Sequence, residues 1–464
     1  MPDRPFSASP SLSLTPRTAR ELAFRVLERH RQTGEWVQEE LAAEFARGAW
    51  SLPDRRLVTE LVCGVVRRQA TLTALLRPAI SRPWDRIEPE LVTLLWLGAY
   101  QLIYLDRVPP FAAIHETVEV AKAIGQARWT GFANGVLRSV SRVVRGDCGD
   151  APAANAIPIG NGRYRLLHEP VLPDPDADFA NYVSWAFSLP EWLVQRWTAR
   201  FERQQMLQIA EGVNASPQVY VRVNRRRTTT EELQELWTAA GVHSERVERV
   251  DALRLCESGP IEELPGYAEG LFSPQDLTAM QAGVTLSPGP DERVWDVCAA
   301  PGTKACHLAE LRDDHGVILA TDVHPDRLSL VTAGAERLGL TSICAIPIRD
   351  DLLDLPRGPF DAILVDAPCS NTGVLHRRPE ARWRLRAEDC TELAEIQTRL
   401  LRAAVERLAP GGRVLYSTCS IEPEENAAVV ASVRSDYPML KLASERIFFP
   451  SPAGDGGYQA LLQK

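Results

Sequence analysis

The run RVWDVCA (residues 293–299) leads through a small-residue turn, Ala299-Ala300-Pro301-Gly302, into the helical stretch TKACHLAE (303–310). Downstream, four more apolar, β-rich runs alternate with helical stretches: GVILATDV (316–323), SICAIPI (342–348), FDAILVDAP (360–368) and GRVLYSTCS (412–420). Such βαβα alternation predicts a mostly parallel sheet with helices on both faces. Ligands of such sheets bind at the carboxyl ends of the strands, so the residues that follow each run become candidates for chemistry.

Around this segment the chain divides by pattern. Residues 1–15 are polar and Pro/Ser-rich and are expected to be disordered. Residues 16–145 carry apolar positions at helical spacing throughout, with Pro53 and Pro109–Pro110 near helix starts. Residues 146–178 are rich in Gly, Pro, Asp and Asn and read as a linker. Residues 179–270 mix helix with short strands, a small α+β module, and 271–464 form the α/β domain. The fold class is therefore multidomain: all-α, then α+β, then an α/β Rossmann-like domain.

Of 464 residues, 52 are Lys or Arg and 61 are Asp or Glu, a net charge of −9. That excludes a chain that coats nucleic acid by bulk positive charge. Only four of the cations are lysines, which makes Lys304, inside the turn-helix segment, conspicuous. The nine cysteines include no C-x-x-C pair, so neither a zinc ribbon nor a dithiol redox site is indicated, and no metal is expected. Reduced thiols and the absence of an apolar leader point to a cytoplasmic protein. The most apolar stretch, Leu91 to Leu105, contains Gln101 and is too short to span a bilayer, so it reads as a buried helix.

The first turn has a single glycine, Gly302, and lacks the G-x-G-x-x-G of dinucleotide enzymes, which disfavours a nicotinamide oxidoreductase. Its small residues still admit a ligand to the backbone, and the following helix offers free N–H groups. Asp322 ends the second run, where an acid can accept both ribose hydroxyls. Asp350 and Asp351 follow the third, and Asp366 ends the fourth. Each acid alone suits a cap or turn. Together they suggest a nucleoside cofactor without phosphates, and a cationic sulfonium such as S-adenosyl-L-methionine fits that field. Cys369 and Cys419 also follow strand runs on this edge, in DAPCS and YSTCS.

CAAPGTK, VDAPCSNTGVLHRRPEARW and YSTCSIEPEEN resemble the motifs of the RNA cytosine-5 methyltransferases. A helical NusB-like amino-terminal domain ahead of the catalytic domain is similar to the bacterial Fmu/Sun (RsmB-type) small-subunit ribosomal RNA enzymes. The resemblance covers nearly the whole chain. It implies thiolate addition at C6 of cytosine, which places enamine-like density on C5 for attack on a methyl donor. Residue chemistry leaves open which cysteine attacks, and the Pro-Cys motif of the DNA enzymes would favour Cys369. The RNA-family resemblance assigns attack to Cys419, product release to Cys369 and contact with the base to Asp366. It assigns the cofactor to Cys298, Ala299, Ala300, Pro301, Gly302, Thr303, Lys304, Asp322, Asp366 and a third-strand acid, Asp350 or the adjacent Asp351. Departures are Thr303 where the family has a second glycine, AFSLPEWL in place of Ser-His-Pro before the Trp-Leu pair, and DGGYQALL near the carboxyl terminus. A β-branched residue disfavours positive φ, so the turn is expected to close differently at Thr303.

Two arginine clusters are candidates for gripping RNA: Arg222, Arg225, Arg226 and Arg227, and Arg377, Arg378 and Arg382 with Trp383. The expected partner is small-subunit ribosomal RNA, with no membrane and a monomeric chain. The rival readings are a catalytically silent ribosome assembly factor and a cytosine-5 enzyme acting on another RNA such as tRNA.

Overall fold

The computed structural model describes residues 15–248, 250–256 and 259–464. The expected disordered segment 1–15 therefore falls outside the described residues except for Thr15. The chain forms two compact units: residues 1–215 with 378–384, and residues 216–377 with 385–464.

The first unit opens with six helices: α1 (Ala19–Thr33), α2 (Val37–Arg47), α3 (Leu52–Leu76), α4 (Pro89–Tyr104), α5 (Pro110–Ala123) and α6 (Thr130–Val143). Both proline signals hold, since α3 has Pro53 in its first turn behind an Ser51 N-cap and α5 begins at Pro110. The apolar stretch 91–105 is α4, and its Gln101 is buried with its hydrogen bonds satisfied. Arg20 Nε donates to its Oε1 at 2.7 Å, and its Nε2 donates to Leu97 O at 3.0 Å. Among the described residues, no helix is long and apolar enough to cross a membrane.

The segment expected as a linker is instead a three-stranded antiparallel sheet of β1 (Val144–Gly149), β2 (Ala156–Gly160) and β3 (Arg163–Leu167), in the order β1-β3-β2. Asn161 and Gly162 both have positive φ in the β2–β3 turn. Asn-Gly between strand-forming residues is a strong hairpin signal, and the surrounding Gly, Pro and Asp masked it. Helices α7 (Phe179–Ala186), α8 (Glu191–Thr198) and α9 (Arg203–Gly212) complete the run to residue 215. The expected α+β module 179–270 is thus divided: its helices up to α9 belong to the first unit and its strands to the second.

In the second unit, β4 (Val219–Val223), α10 (Thr230–Ala239), β5 (Ser244–Arg246), β6 (Ala252–Leu255) and β7 (Phe272–Pro274) build an antiparallel sheet of order β5-β6-β4-β7. Next come α11 (Leu277–Leu286), β8 (Arg293–Asp296), α12 (Thr303–Leu311), β9 (Val317–Asp322), α13 (Pro325–Leu338), β10 (Ile343–Pro347) and β11 (Phe360–Asp366). The short α14 (Ala381–Arg384) lies in the segment that belongs to the first unit. The chain ends with α15 (Ala387–Glu406), β12 (Leu408–Thr418), α16 (Ala427–Asp436), β13 (Lys441–Phe448) and β14 (Gly457–Gln463).

All five apolar runs form strands of one seven-stranded sheet, order β10-β9-β8-β11-β12-β14-β13. Strands β8 to β12 pair parallel, and β14 pairs antiparallel with both β12 and β13. Successive residues of a strand face opposite sides, and both sides are covered here. Val294, Ile318, Leu364 and Leu415 pack with Leu308 of α12 and Leu338 of α13, while Trp295, Ile363, Val365 and Val414 pack with Leu401 of α15 and Val430 of α16. Burial on both faces is why β8, β9, β11 and β12 read as apolar runs, whereas the edge strand β10 is part-exposed along its length.

Candidate active site

Strand order reverses between β8 and β11, whose neighbours lead away on opposite sides. The crevice at the carboxyl ends of such a pair is where open α/β sheets bind ligands. The turn after β8 is pinned there by backbone bonds: Val297 N–H donates to Leu364 O at 2.9 Å and Ala299 N–H to Thr321 O at 2.8 Å. Gly302 has φ +103°, and a Cβ on it would stand 2.8 Å from Val331 Cα, so no other residue fits. Thr303 is the first residue of α12, and the positive φ falls on Gly302 rather than on it. The turn therefore closes without a second glycine.

Asp322, at the end of β9, is buried and accepts the N–H of Ala300 at 3.2 Å and of His324 at 3.0 Å. Lys304 Nζ donates to Asp366 Oδ2 at 2.7 Å. Burial works against the Lys304 ammonium, but the carboxylate of Asp366, with Cys419 and Asp296 nearby, outweighs it and raises its pKa. Asp296 was not singled out from sequence, though a charged residue inside an apolar strand run is a visible anomaly. Its carboxyl is buried with no hydrogen-bond partner on either oxygen, and burial, reinforced by Asp366 and Asp322, pushes its pKa up to about 8. Burial, with the charges of Asp296 and Asp322, likewise raises the thiol of Cys298. A crevice lined by the Asp322 and Asp366 carboxylates, with the unpartnered Asp296 carboxyl beside them, fits a cationic ligand and would repel a pyrophosphate.

The two cysteines meet. Asp366 of β11 stands opposite Ser417 of β12 in parallel register, so the loops that follow emerge side by side. Cys369 Sγ and Cys419 Sγ are 2.7 Å apart. Cys419 N–H points to Cys369 Sγ at 3.3 Å, and Cys419 Sγ donates to Asn371 Oδ1 at 3.2 Å. The bond to Cys419, then burial, raises the Cys369 thiol well above its ordinary value. Beneath the pair lies Glu425, fully buried, which accepts Ser370 N–H at 2.8 Å, Ser420 O–H at 2.6 Å and the Ser370 hydroxyl. Asn371 and Glu425 lie inside the two cysteine motifs, but nothing in the sequence alone gives them a task.

The third-strand acids are exposed beyond β10, where Asp351 is held by Arg349 and Asp350 is not drawn into the acid cluster's hydrogen bonds. The arginine clusters separate into two kinds. Arg222 does not face solvent: it is buried, forms a fork to Glu310 at 2.8 and 2.9 Å, and donates to Thr303 O at 3.3 Å. It lies on β4 with its neighbours buried, so it braces α12 instead of offering a charge to RNA. Arg382 is also buried, within the first unit, where it donates to Arg67 O, Ser188 O, Val213 O and Asn214 Oδ1 at 2.8 to 3.2 Å. Arg377 is half-buried between Asp276 and Asp455. Arg225, Arg226, Arg227 and Arg378 are exposed, although Arg226 and Arg227 also bond carbonyls of Gly339 and Arg337. Arg378 and Arg384 both lie over the Trp36 ring, at 5.2 and 4.3 Å.

The chain is similar to known proteins over nearly its full length. The model of the 16S rRNA methyltransferase RsmB/F family matches residues 283–457, that of the NusB family residues 17–142, and that of the RsmF/B-like ferredoxin-like domain residues 189–262. A probable ribosomal RNA small subunit methyltransferase B of Synechocystis is 33% identical over 444 residues, 94% of this chain and 93% of that one. A methyltransferase homologue from Pyrococcus horikoshii, 27% identical, superposes with a TM-score of 0.54 over 61% of this chain and 97% of its own. NSun6 from the same organism, solved with SFG, shares the fold at 22% identity and a TM-score of 0.54, over 59% of this chain and 98% of its own. A methyltransferase family and a carboxylate-lined crevice together indicate S-adenosylmethionine as the cofactor. The chain belongs to the RsmB/F family of 16S ribosomal RNA methyltransferases.

Proposed function

We propose that this chain transfers a methyl group from S-adenosylmethionine to C5 of a cytosine in small-subunit ribosomal RNA, through a bond from Cys419 to C6. The observation that carries the reading is the pair of cysteine sulfurs, 2.7 Å apart at the ends of adjacent strands beside the Lys304–Asp366 pair.

Bound S-adenosylmethionine supplies an electrophilic methyl group. The turn from Cys298 to Lys304, with Asp322, Asp366 and a third-strand acid, Asp350, would hold it. C5 of cytosine is a weak nucleophile until C6 is attacked. The Cys419 sulfur adds at C6, and the displaced electron pair reaches C5, which takes the methyl group. Asp366 faces the base edge and, carrying the proton of the Lys304–Asp366 pair, donates it in a hydrogen bond to N3 as negative charge gathers there, while Lys304 fixes the orientation of its carboxyl group. Transfer of the C5 proton to water returns its electron pair to the C5–C6 bond and expels the Cys419 thiolate. Cys369, in contact with that sulfur, assists this release.

The helical residues 16–145 and the 179–270 module are read as RNA-binding parts, with Arg225 and Arg378 as exposed cations for phosphate and Arg226, Arg227 and Arg377 in support. Small-subunit RNA labelled with tritium at cytosine C5 tests the reaction. Release of tritium that depends on S-adenosylmethionine is expected; methylation without release would place the methyl group on another atom.

A further inference from the structure

We propose that Glu425 is the positioning residue that joins the two cysteine loops into one reactive pair. The inference rests on the two-cysteine reading above and deepens it. Cys369 and Cys419 are carried by separate loops, after β11 and β12, which backbone bonds join at Ala367 N–H to Ser417 O, 2.9 Å, and at Gly373 N–H to Cys419 O, 3.0 Å; between those two bonds side chains tie the loops together. Each cysteine is followed by a serine, and Glu425 takes both. One carboxylate oxygen accepts the hydroxyls of Ser370 and Ser420; the other accepts Ser370 N–H at 2.8 Å and Gln397 Nε2–H at 3.0 Å. Gln397, on α15, also donates to Pro368 O at 2.8 Å, so the residue before Cys369 is held as well. The surrounding hydroxyls close the joint: Ile421 N–H donates to Thr372 Oγ1 at 3.0 Å, and Gly373 N–H to Cys419 O at 3.0 Å.

Glu425 is fully buried and has no basic partner in this network, which a merely structural site would fill more cheaply with apolar side chains. Burial raises its own pKa, against the pull of the serine and Gln397 donors. Its charge is also one of the influences, after the Cys419 bond and burial, that keep the Cys369 thiol protonated. The same carboxylate thus sets the spacing of the two sulfurs and helps to keep the Cys369 thiol protonated.

The test uses the full chain, Glu425→Gln and, as a milder variant, Ser420→Ala. Two readouts are taken: methyl transfer to small-subunit ribosomal RNA, and the pH dependence of Cys369 alkylation by iodoacetamide without RNA, followed by mass spectrometry. Glu425→Gln should lower kcat at least tenfold, with S-adenosylmethionine affinity and RNA KM within about twofold of wild type. Loss of the negative charge should move the Cys369 alkylation midpoint to lower pH. Ser420→Ala should lower kcat less and leave cofactor affinity intact. Unchanged kcat and an unchanged thiol profile in Glu425→Gln would overturn the proposal. So would parallel losses of cofactor affinity and kcat in both variants, the mark of general unfolding. The alkylation profile needs no methyl transfer, so failure of the wild type to methylate cytosine would sink the reaction and not the joint.

Discussion

Lys304 is one of only four lysines beside 48 arginines, and its ammonium bonds Asp366 at 2.7 Å. A compact ammonium can approach a single carboxylate oxygen where a planar guanidinium needs room for a fork. Lys304→Arg should therefore lower kcat/KM by at least about tenfold, roughly 1.4 kcal/mol of transition-state stabilisation; wild-type kinetics in that variant would refute the requirement. Asp296 makes a pH prediction. Its carboxyl binds a proton up to about pH 8 in the folded chain but only up to about 4 when unfolded. The native state then holds more protons across that window, so this group's contribution to stability falls as pH rises from about 4 to about 8. Asp296→Asn, which mimics the protonated form, should raise the melting temperature relative to wild type by an amount that grows from pH 5 to pH 8. A difference independent of pH would contradict the buried, unpartnered carboxyl. Cys369, Cys419 and Asp322 were legible as candidates because they follow strand runs, and Lys304 because lysine is rare in this chain. Glu425 and Asn371 were not, since their importance comes from which loop each one reaches across space.

The elements repeat that division. Strands β8, β9, β11 and β12 were legible because burial on both faces favours apolar residues in them, the part-exposed edge strand β10 because its run is itself apolar, and the strand order puts the crevice at β8 and β11. The β1–β3 sheet was missed because its turn residues resemble those of a linker, and only the Asn161-Gly162 pair distinguishes them. The turn after β8 is decided by one backbone angle. Gly302→Ala would place a Cβ 2.8 Å from Val331 Cα at a φ of +103° and should weaken S-adenosylmethionine binding at least tenfold. Thr303→Gly should leave that affinity within about twofold and weaken α12 by less than about 1 kcal/mol, because Thr303 already adopts helical geometry. Isothermal titration of the cofactor separates the two. A strong gain of affinity in Thr303→Gly would show that the threonine does strain the turn.

Over the whole molecule, a net charge of −9 is compatible with an RNA enzyme because its charges are placed locally. Several acids line the crevice, and part of the arginine content is structural, with Arg222 bracing α12 and Arg382 filling the interior of the first unit. Sequence clustering could not separate those arginines from exposed ones, since burial depends on partners far along the chain: Arg382 bonds residues 67, 188, 213 and 214. Arg382→Ala should destabilise the first unit by about 3 kcal/mol, the cost of leaving several buried acceptors without their charged donor, and thermal unfolding would register it. A variant as stable as wild type would return Arg382 to the RNA-binding set. In the proposed reaction Cys419 forms the bond to the base and Cys369 lets it go. The most direct test is gel electrophoresis in SDS of Cys369→Ala and Cys419→Ala after incubation with small-subunit ribosomal RNA and S-adenosylmethionine. Cys369→Ala should give a slow, SDS-resistant protein–RNA band and Cys419→Ala neither band nor methylation; a band from Cys419→Ala and none from Cys369→Ala would reverse the roles.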